Sequence, residues 1–247
     1  MLFLFSHCGP PQRIERTPDA NELALLRAWV DAAPLRGWSG NGRARVEATD
    51  GEVEGELQFV LDPPRRARVE VRSGALFGMV GERVVLSLPG DEHVLIYRER
   101  SDALERVPYE ASALAELTLS GQPRDLFELI RGRLPWPGGS PPAGWESRAR
   151  LVESADAGRT LAFRVPLGQA QQAFVLRLRD GILERFELWE GRTQRLQIEY
   201  DRWRTAAEDM QPMRIRLKAA QVDVEAEFVI DSLEPREAFT ERDFEVY

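Results

Sequence analysis

The chain has 247 residues, 43% hydrophobic and 30% charged, with a net charge of −8, enough apolar material for a real core beneath an ordinary polar surface. The negative balance gives the chain as a whole no electrostatic footprint for nucleic acid. One cysteine, Cys8, and two histidines, His7 and His93, exclude an internal disulfide and leave almost no material for a Cys/His zinc site or a histidine-dependent triad. No run of ~18 apolar residues reads as a transmembrane helix.

The first stretch, "MLFLFSHCGPP", is apolar up to Ser6 and places Cys8 just behind it. It is too short for a complete secretory signal. "FSHC" reads as the end of a bacterial lipobox, with Ser6 acceptable and the bulky His7 a departure, so Cys8 is the candidate lipidation site. The polar "PPQRIERTPDAN" behind it reads as a tether. Residues 1–17 are thus expected to be a signal remnant and tether, and residues 18–247 a single domain. The alternatives are export without lipidation and a cytoplasmic chain with a frayed N-terminus.

"TPDANELALLRAWVDAA" reads as a helix, capped by Thr17 or Asp19, with Leu23, Leu26, Trp29 and Val30 at helical spacing and Pro34 ending it. From Trp38 the period becomes two. Ala44, Val46 and Ala48 alternate with charged residues; after an Asp50-Gly51 turn, Val53, Leu57, Phe59 and Leu61 do the same, followed by Ala67, Val69 and Val71. The apolar runs "ALFGMVG", "RVVLSL" and "HVLIYRE" complete a meander with one face buried and one solvated. Residues 109–119 and 123–132 return to helical spacing, with Leu114, Leu117, Leu126, Phe127 and Ile130 on their apolar sides. "LPWPGGSPPAG" breaks regular structure and is expected to expose Trp136. The second half is β again, with a hairpin at Asp180-Gly181 and strands through Ile198, Ile215 and Phe228 before a closing turn and short tail.

The pattern predicts a mainly β chain: a curled antiparallel sheet of about ten or eleven strands forming an unclosed β-barrel, covered by an N-terminal helix and a mid-chain pair of short helices. Such a sheet, lined by Val, Leu and Phe, is either filled or partly closed over an apolar ligand cavity. No catalytic constellation accompanies it. Glu52, Glu54 and Glu56 lie on the solvated face of one strand, Asp223 and Glu225 likewise, and they do not converge as a glycosidase requires. Nucleotide and nucleophile-elbow motifs are absent, so no enzyme activity, cofactor or metal is expected.

The layout "WSGNGRARVE", an acidic hairpin, "FVLDPPRRARVEV", a "LFG" loop, "LFELIRGRLPWPG" and the C-terminal "PMRIRLKAAQVDVEAEFVIDSL" resembles the LolA/LolB superfamily of periplasmic lipoprotein carriers and outer-membrane acceptors over roughly residues 20–240. The resemblance implies an unclosed barrel whose apolar cavity accepts acyl chains of lipids or lipoproteins. On this chain the cavity residues it points to are Leu57, Phe59, Val69, Val71, Leu114, Leu117, Phe127 and Ile130. By position "GALFGM" matches the acceptor's membrane-contact loop, which makes Leu76 and Phe77 the contact candidates, and Gly132, Leu134 and Pro135 match a turn that ends the lid. Asp62, before Pro63 and Pro64, stands where the carrier has its gating arginine, a departure that favours an anchored acceptor or relative. The resemblance implies a monomer in the periplasm, held at the outer-membrane surface through lipidated Cys8. An acyl chain of ~16 carbons carries about 13 kcal/mol of burial, so transfer between apolar sites needs no nucleotide. A scaffold lipoprotein with a filled core and a protein partner is the alternative.

Overall fold

The computed structural model describes residues 12–30, 37–48, 51–63, 66–73, 82–90, 92–116, 123–136, 141–167, 172–206 and 209–246. Its strands are β1 (Gln12–Arg16), β2 (Gly37–Ala48), β3 (Gly51–Asp62), β4 (Arg66–Arg72), β5 (Arg83–Leu88), β6 (His93–Arg98), β7 (Ala103–Pro108) and β8 (Arg150–Ala155). They continue with β9 (Thr160–Pro166), β10 (Gln172–Arg179), β11 (Ile182–Glu190), β12 (Thr193–Asp201), β13 (Arg204–Ala206), β14 (Asp209–Gln211), β15 (Arg214–Ala219) and β16 (Val224–Arg236). Four helices join them among the described residues: α1 (Ala20–Val30), α2 (Ala113–Glu116), α3 (Pro123–Ile130) and α4 (Trp145–Arg148). The fold class is the one expected, mainly β with few helices and an antiparallel sheet not closed into a barrel. Sixteen strands are described, more than the alternation alone indicated.

Residues 1–31 with 141–197 form one compact unit, and residues 32–140 with 198–247 a second. In the first, strands follow the order β1-β8-β9-β10-β11-β12, the last strand running on past the boundary. Residues 12–16, read from the sequence as part of a tether, are strand β1, paired with β8 from Gln12↔Ser154 to Arg16↔Leu151. Asp19 caps α1: its Oδ1 accepts from the Asn21 and Glu22 amides while the Glu22 carboxylate accepts from the Asp19 amide, a reciprocal arrangement that satisfies the first-turn donors. Leu26 and Val30 of α1 are buried. The β10–β11 hairpin turns as expected at Asp180 and Gly181, whose φ values of 51° and 78° suit a two-residue turn. Trp29 Nε1 donates to the Gly181 carbonyl at 2.9 Å, and Arg27 forks onto Glu146 of α4 at 2.7 and 2.6 Å.

In the second unit the order is β15-β16-β2-β3-β4-β5-β6-β7, with β13 and β14 as a separate pair. The meander from β2 to β6 is the one the alternation predicts. One expectation fails there. The outer face of β4 and β5 is not solvated: Glu70, Val85 and Ser87 are buried. The C-terminal segment covers it, with Ser87 Oγ donating to the Phe244 carbonyl at 2.7 Å, Arg68 Nε to the Glu245 carbonyl at 2.8 Å, and Arg66 stacked over the Phe244 ring. Asp62 accepts from Arg66 Nε at 2.8 Å across the β3–β4 turn, and Arg66 reaches on to Glu241.

Candidate functional site

Strands β3 and β4 pair in a register that sets Leu57 opposite Val71 and Phe59 opposite Val69. With a period of two, these four side chains share one face. On one side β2 offers only Gly42 opposite Leu57 and Gly40 opposite Phe59, then Trp38 opposite Leu61. A Cβ at Gly40 would lie 2.5 Å from the Phe59 Cζ, so the absence of a side chain there is what lets the ring lie across β2. On the other side the rows extend through β5 and β6: Val69 faces Leu86 and Leu86 faces Ile96, while Val71 faces Val84. The result is an apolar face running across five strands. Leu57, Phe59 and Val71 are buried, whereas Val69, Val84, Leu86 and Ile96 are only half-buried.

The Trp38 end of this face is polar. Helix α3 ends in a Schellman turn: Gly132, at φ 68°, donates to the Leu129 carbonyl at 3.0 Å and the Arg133 amide to the Glu128 carbonyl at 2.8 Å. A Cβ on Gly132 would also meet the Trp203 ring at 2.5 Å. The turn carries the following residues inward, so that all of Arg131–Trp136 is buried. Trp136, expected on an exposed turn, is 6% exposed; flanking prolines break regular structure without forcing a segment into solvent. Arg131 lies over the Trp38 ring, 5.5 Å from its centre, and its Nε donates to Gln211 Oε1 at 3.3 Å. Beside them the buried Tyr200 hydroxyl donates to the Leu129 carbonyl at 2.7 Å, and burial pushes its phenol well above the usual range.

Of the expected cavity residues, the sheet brings Leu57, Phe59, Val69 and Val71 together. Phe127 is buried on α3, and Leu114 and Ile130 are half-buried on α2 and α3. The buried face of α3 also includes Leu129 and Asp125, which the apolar spacing did not single out. Leu117, Leu76, Phe77 and Cys8 lie outside the described residues. Sequence reasoning missed Leu86 and Ile96 as members of the rows, although their strands were anticipated, and missed Arg131 and Gln211 altogether. Among the described residues, no group of three or more His, Cys, Asp or Glu side chains is placed to hold a metal ion. Glu52, Glu54 and Glu56 are exposed, as expected.

No family model and no curated protein matches the sequence. Solved structures do resemble the fold. A DUF1329 family protein from Desulfovibrio piger is 8% identical, with a TM-score of 0.52 over 94% of this chain and 98% of its own. A domain named for outer-membrane lipoprotein sorting, from Vibrio parahaemolyticus, is 8% identical, with a TM-score of 0.50 over 90% and 95% of the two chains. A LolA superfamily protein from Nitrosomonas europaea is 11% identical, with a TM-score of 0.49 over 90% and 96%. At these identities the likeness is one of fold alone, and for the Desulfovibrio piger and Vibrio parahaemolyticus structures it agrees at that level with the resemblance drawn from the sequence.

Proposed function

We propose that this chain is a cell-envelope protein that binds acyl chains of lipids or lipoproteins on the apolar face of β2–β6, in transfer to the outer membrane and without enzymatic activity. The observation that carries the reading is the row Phe59–Val69–Leu86–Ile96, continuous across four strands yet half-open in its last three members. Fully burying such a side chain is worth about 1.5–3 kcal/mol, so three partly exposed ones leave roughly 0.5–3 kcal/mol of apolar burial for an occupant to supply. The fold shared with a domain named for lipoprotein sorting supports the same reading, as does the lipobox-like stretch before Cys8, through which the protein is held at the membrane as a monomer.

Native mass spectrometry of the purified full chain, with and without added palmitate, is the test. A bound species of lipid mass is expected. Val69→Arg, at a half-buried position, is expected to weaken binding at least about tenfold by placing a charge against the chain, with an unchanged circular dichroism spectrum. Leu57→Arg, at a buried one, is expected to abolish it. A wild-type protein that stays free of lipid under challenge overturns the reading and leaves the scaffold alternative.

A further inference from the structure

We propose that the β6–β7 edge of the apolar face is a headgroup site for a zwitterionic lipid, with the lipid phosphate on Arg98 and its ammonium on Glu105. The inference rests on the acyl-binding reading above and specifies its ligand. Two cross-strand rows of the face end in opposite charges. Val71 faces Val84 and Val84 faces Arg98, while Leu86 faces Ile96 and Ile96 faces Glu105. Directly opposed residues share a face, so both charged side chains stand on the apolar side of the sheet, Arg98 half-buried and Glu105 exposed. Neither has a hydrogen bond or ion pair from its side chain among the described residues. Neighbouring charges are committed elsewhere: Arg83 to Glu70, Arg106 to the His93 ring and Asp102 to the Tyr97 hydroxyl.

The spacing fits a head of two signs. Arg98 faces Ala103, so Glu105 is its cross-strand diagonal neighbour, a relation that sets Cβ atoms about 7–8 Å apart. Left unpaired, the two offer an anion site and a cation site one short linker apart, as phosphate and ammonium are in phosphoethanolamine and phosphocholine. A guanidinium takes phosphate through parallel hydrogen bonds. A purely anionic head at Arg98 meets the like charge of Glu105, and a purely cationic one at Glu105 meets Arg98; a head carrying both signs satisfies both. The tail has a way inward. Val84, Leu86 and Ile96 beside the charges are half-buried, as is Val69 beyond them, so two strand spacings, about 10 Å of incompletely covered apolar face, lead from β6 to β4. The head stays at the sheet edge, where Glu105 is in water, and only the tail is desolvated.

The test titrates the full chain with four ligands of one tail length, each below its micelle concentration: hexadecylphosphocholine, hexadecyl phosphate, hexadecyltrimethylammonium and hexadecanol. Wild type is expected to bind the phosphocholine at least about fivefold tighter than any of the other three, the upper end for an ion contact at an exposed site. That comparison needs no variant to fold. Arg98→Gln is expected to bind the phosphocholine no tighter than the ammonium, and Glu105→Gln no tighter than the phosphate. Both variants are expected to keep the wild-type affinity for hexadecanol, which shows that the fold and the tail site are intact. Equal binding of all four ligands by wild type overturns the headgroup site and leaves the acyl-binding reading standing. A phosphate that binds as tightly as the phosphocholine overturns it as well, since Glu105 then takes no part. So does a preference that survives both substitutions, which places the head elsewhere. Failure of all four ligands to bind removes the acyl-binding reading itself.

Discussion

Glu70→Ala is expected to destabilise the protein by about 3–5 kcal/mol in urea unfolding, the range for removing one partner of a buried ion pair. The Glu70 side chain is 5% exposed and is hydrogen-bonded by Arg68, by Arg72 at 2.7 Å and by Arg83 at 2.8 Å. Arg68 and Arg83 are themselves only 16% and 17% exposed, so the substitution strands two largely buried charges. Arg72 is 58% exposed, and Arg72→Ala is expected to cost at most about 1 kcal/mol. The same cluster sets an acid limit. Burial pushes the Glu70 carboxyl up, but the hydrogen bonds from Arg83, Arg72 and Arg68 together outweigh it and hold the group at about 2 against an ordinary 4.5. Because the folded value is the lower one, the unfolded chain binds the extra proton between the two. The contribution is complete above pH 4.5 and is lost as the pH falls toward 2, roughly 3 kcal/mol in all. Glu70→Gln is expected to flatten stability against pH over that window. A residual slope below pH 3.8 should remain from Asp243, which Arg236 and Thr240 hold down to about 2.

What could be read from the sequence depended on whether an element announces itself through a buried face. Strands β2 to β4 were legible because one face of each is apolar at a period of two, β5 and β6 because each is a short apolar run between turn residues, and the Asp180-Gly181 hairpin because its residues match the turn. Strand β7 was not. Its "ALERVP" leaves Leu104 42% exposed and Val107 only half-buried; as an end strand it is held by its backbone pairing to β6 and has little need of a hydrophobic signature. β8 likewise buries Leu151 alone among its six residues. The apolar half of the candidate site followed from alternation, since Leu57, Phe59, Val69 and Val71 had to share a face once β3 paired with β4. Its polar end could not follow. Arginine is a surface residue by default, and nothing in "LIRGRLPW" distinguishes Arg131 from a solvated one until the turn at Gly132 buries it. Glu70 was hidden for the same reason: in "RARVEVR" it alternates as an outward residue, and only the fold sets Arg83 of β5 beside Arg68 and Arg72 around it.

The largest effect of a small change elsewhere is expected at Gly42. A methyl group there would fall far inside the van der Waals envelope of the Val229 carbonyl oxygen and 2.9 Å from the Ile230 Cα. Both obstacles are backbone, which cannot rotate aside as a side chain can. Gly42 faces Ile230, where the β2–β16 register slips before resuming at Ser232, and the Ile230 amide is committed to the Met213 carbonyl at 2.8 Å. To admit the methyl, β16 must leave β2 or give up that bond. Gly42→Ala is therefore expected to cost about 2–3 kcal/mol, the upper part of the range for overpacking, and to lower the melting temperature by roughly 4–12 °C for a chain of this size. Gly90 is the control: a Cβ there meets nothing within 4 Å and its φ is not left-handed. Gly90→Ala is expected to be neutral or to stabilise by up to about 1 kcal/mol, through the entropy of the unfolded chain. Calorimetric melts of the two variants decide the matter. Equal melting temperatures would show that β16 can retreat freely, and the close approach of β16 to β2 would then not be what the glycine is for.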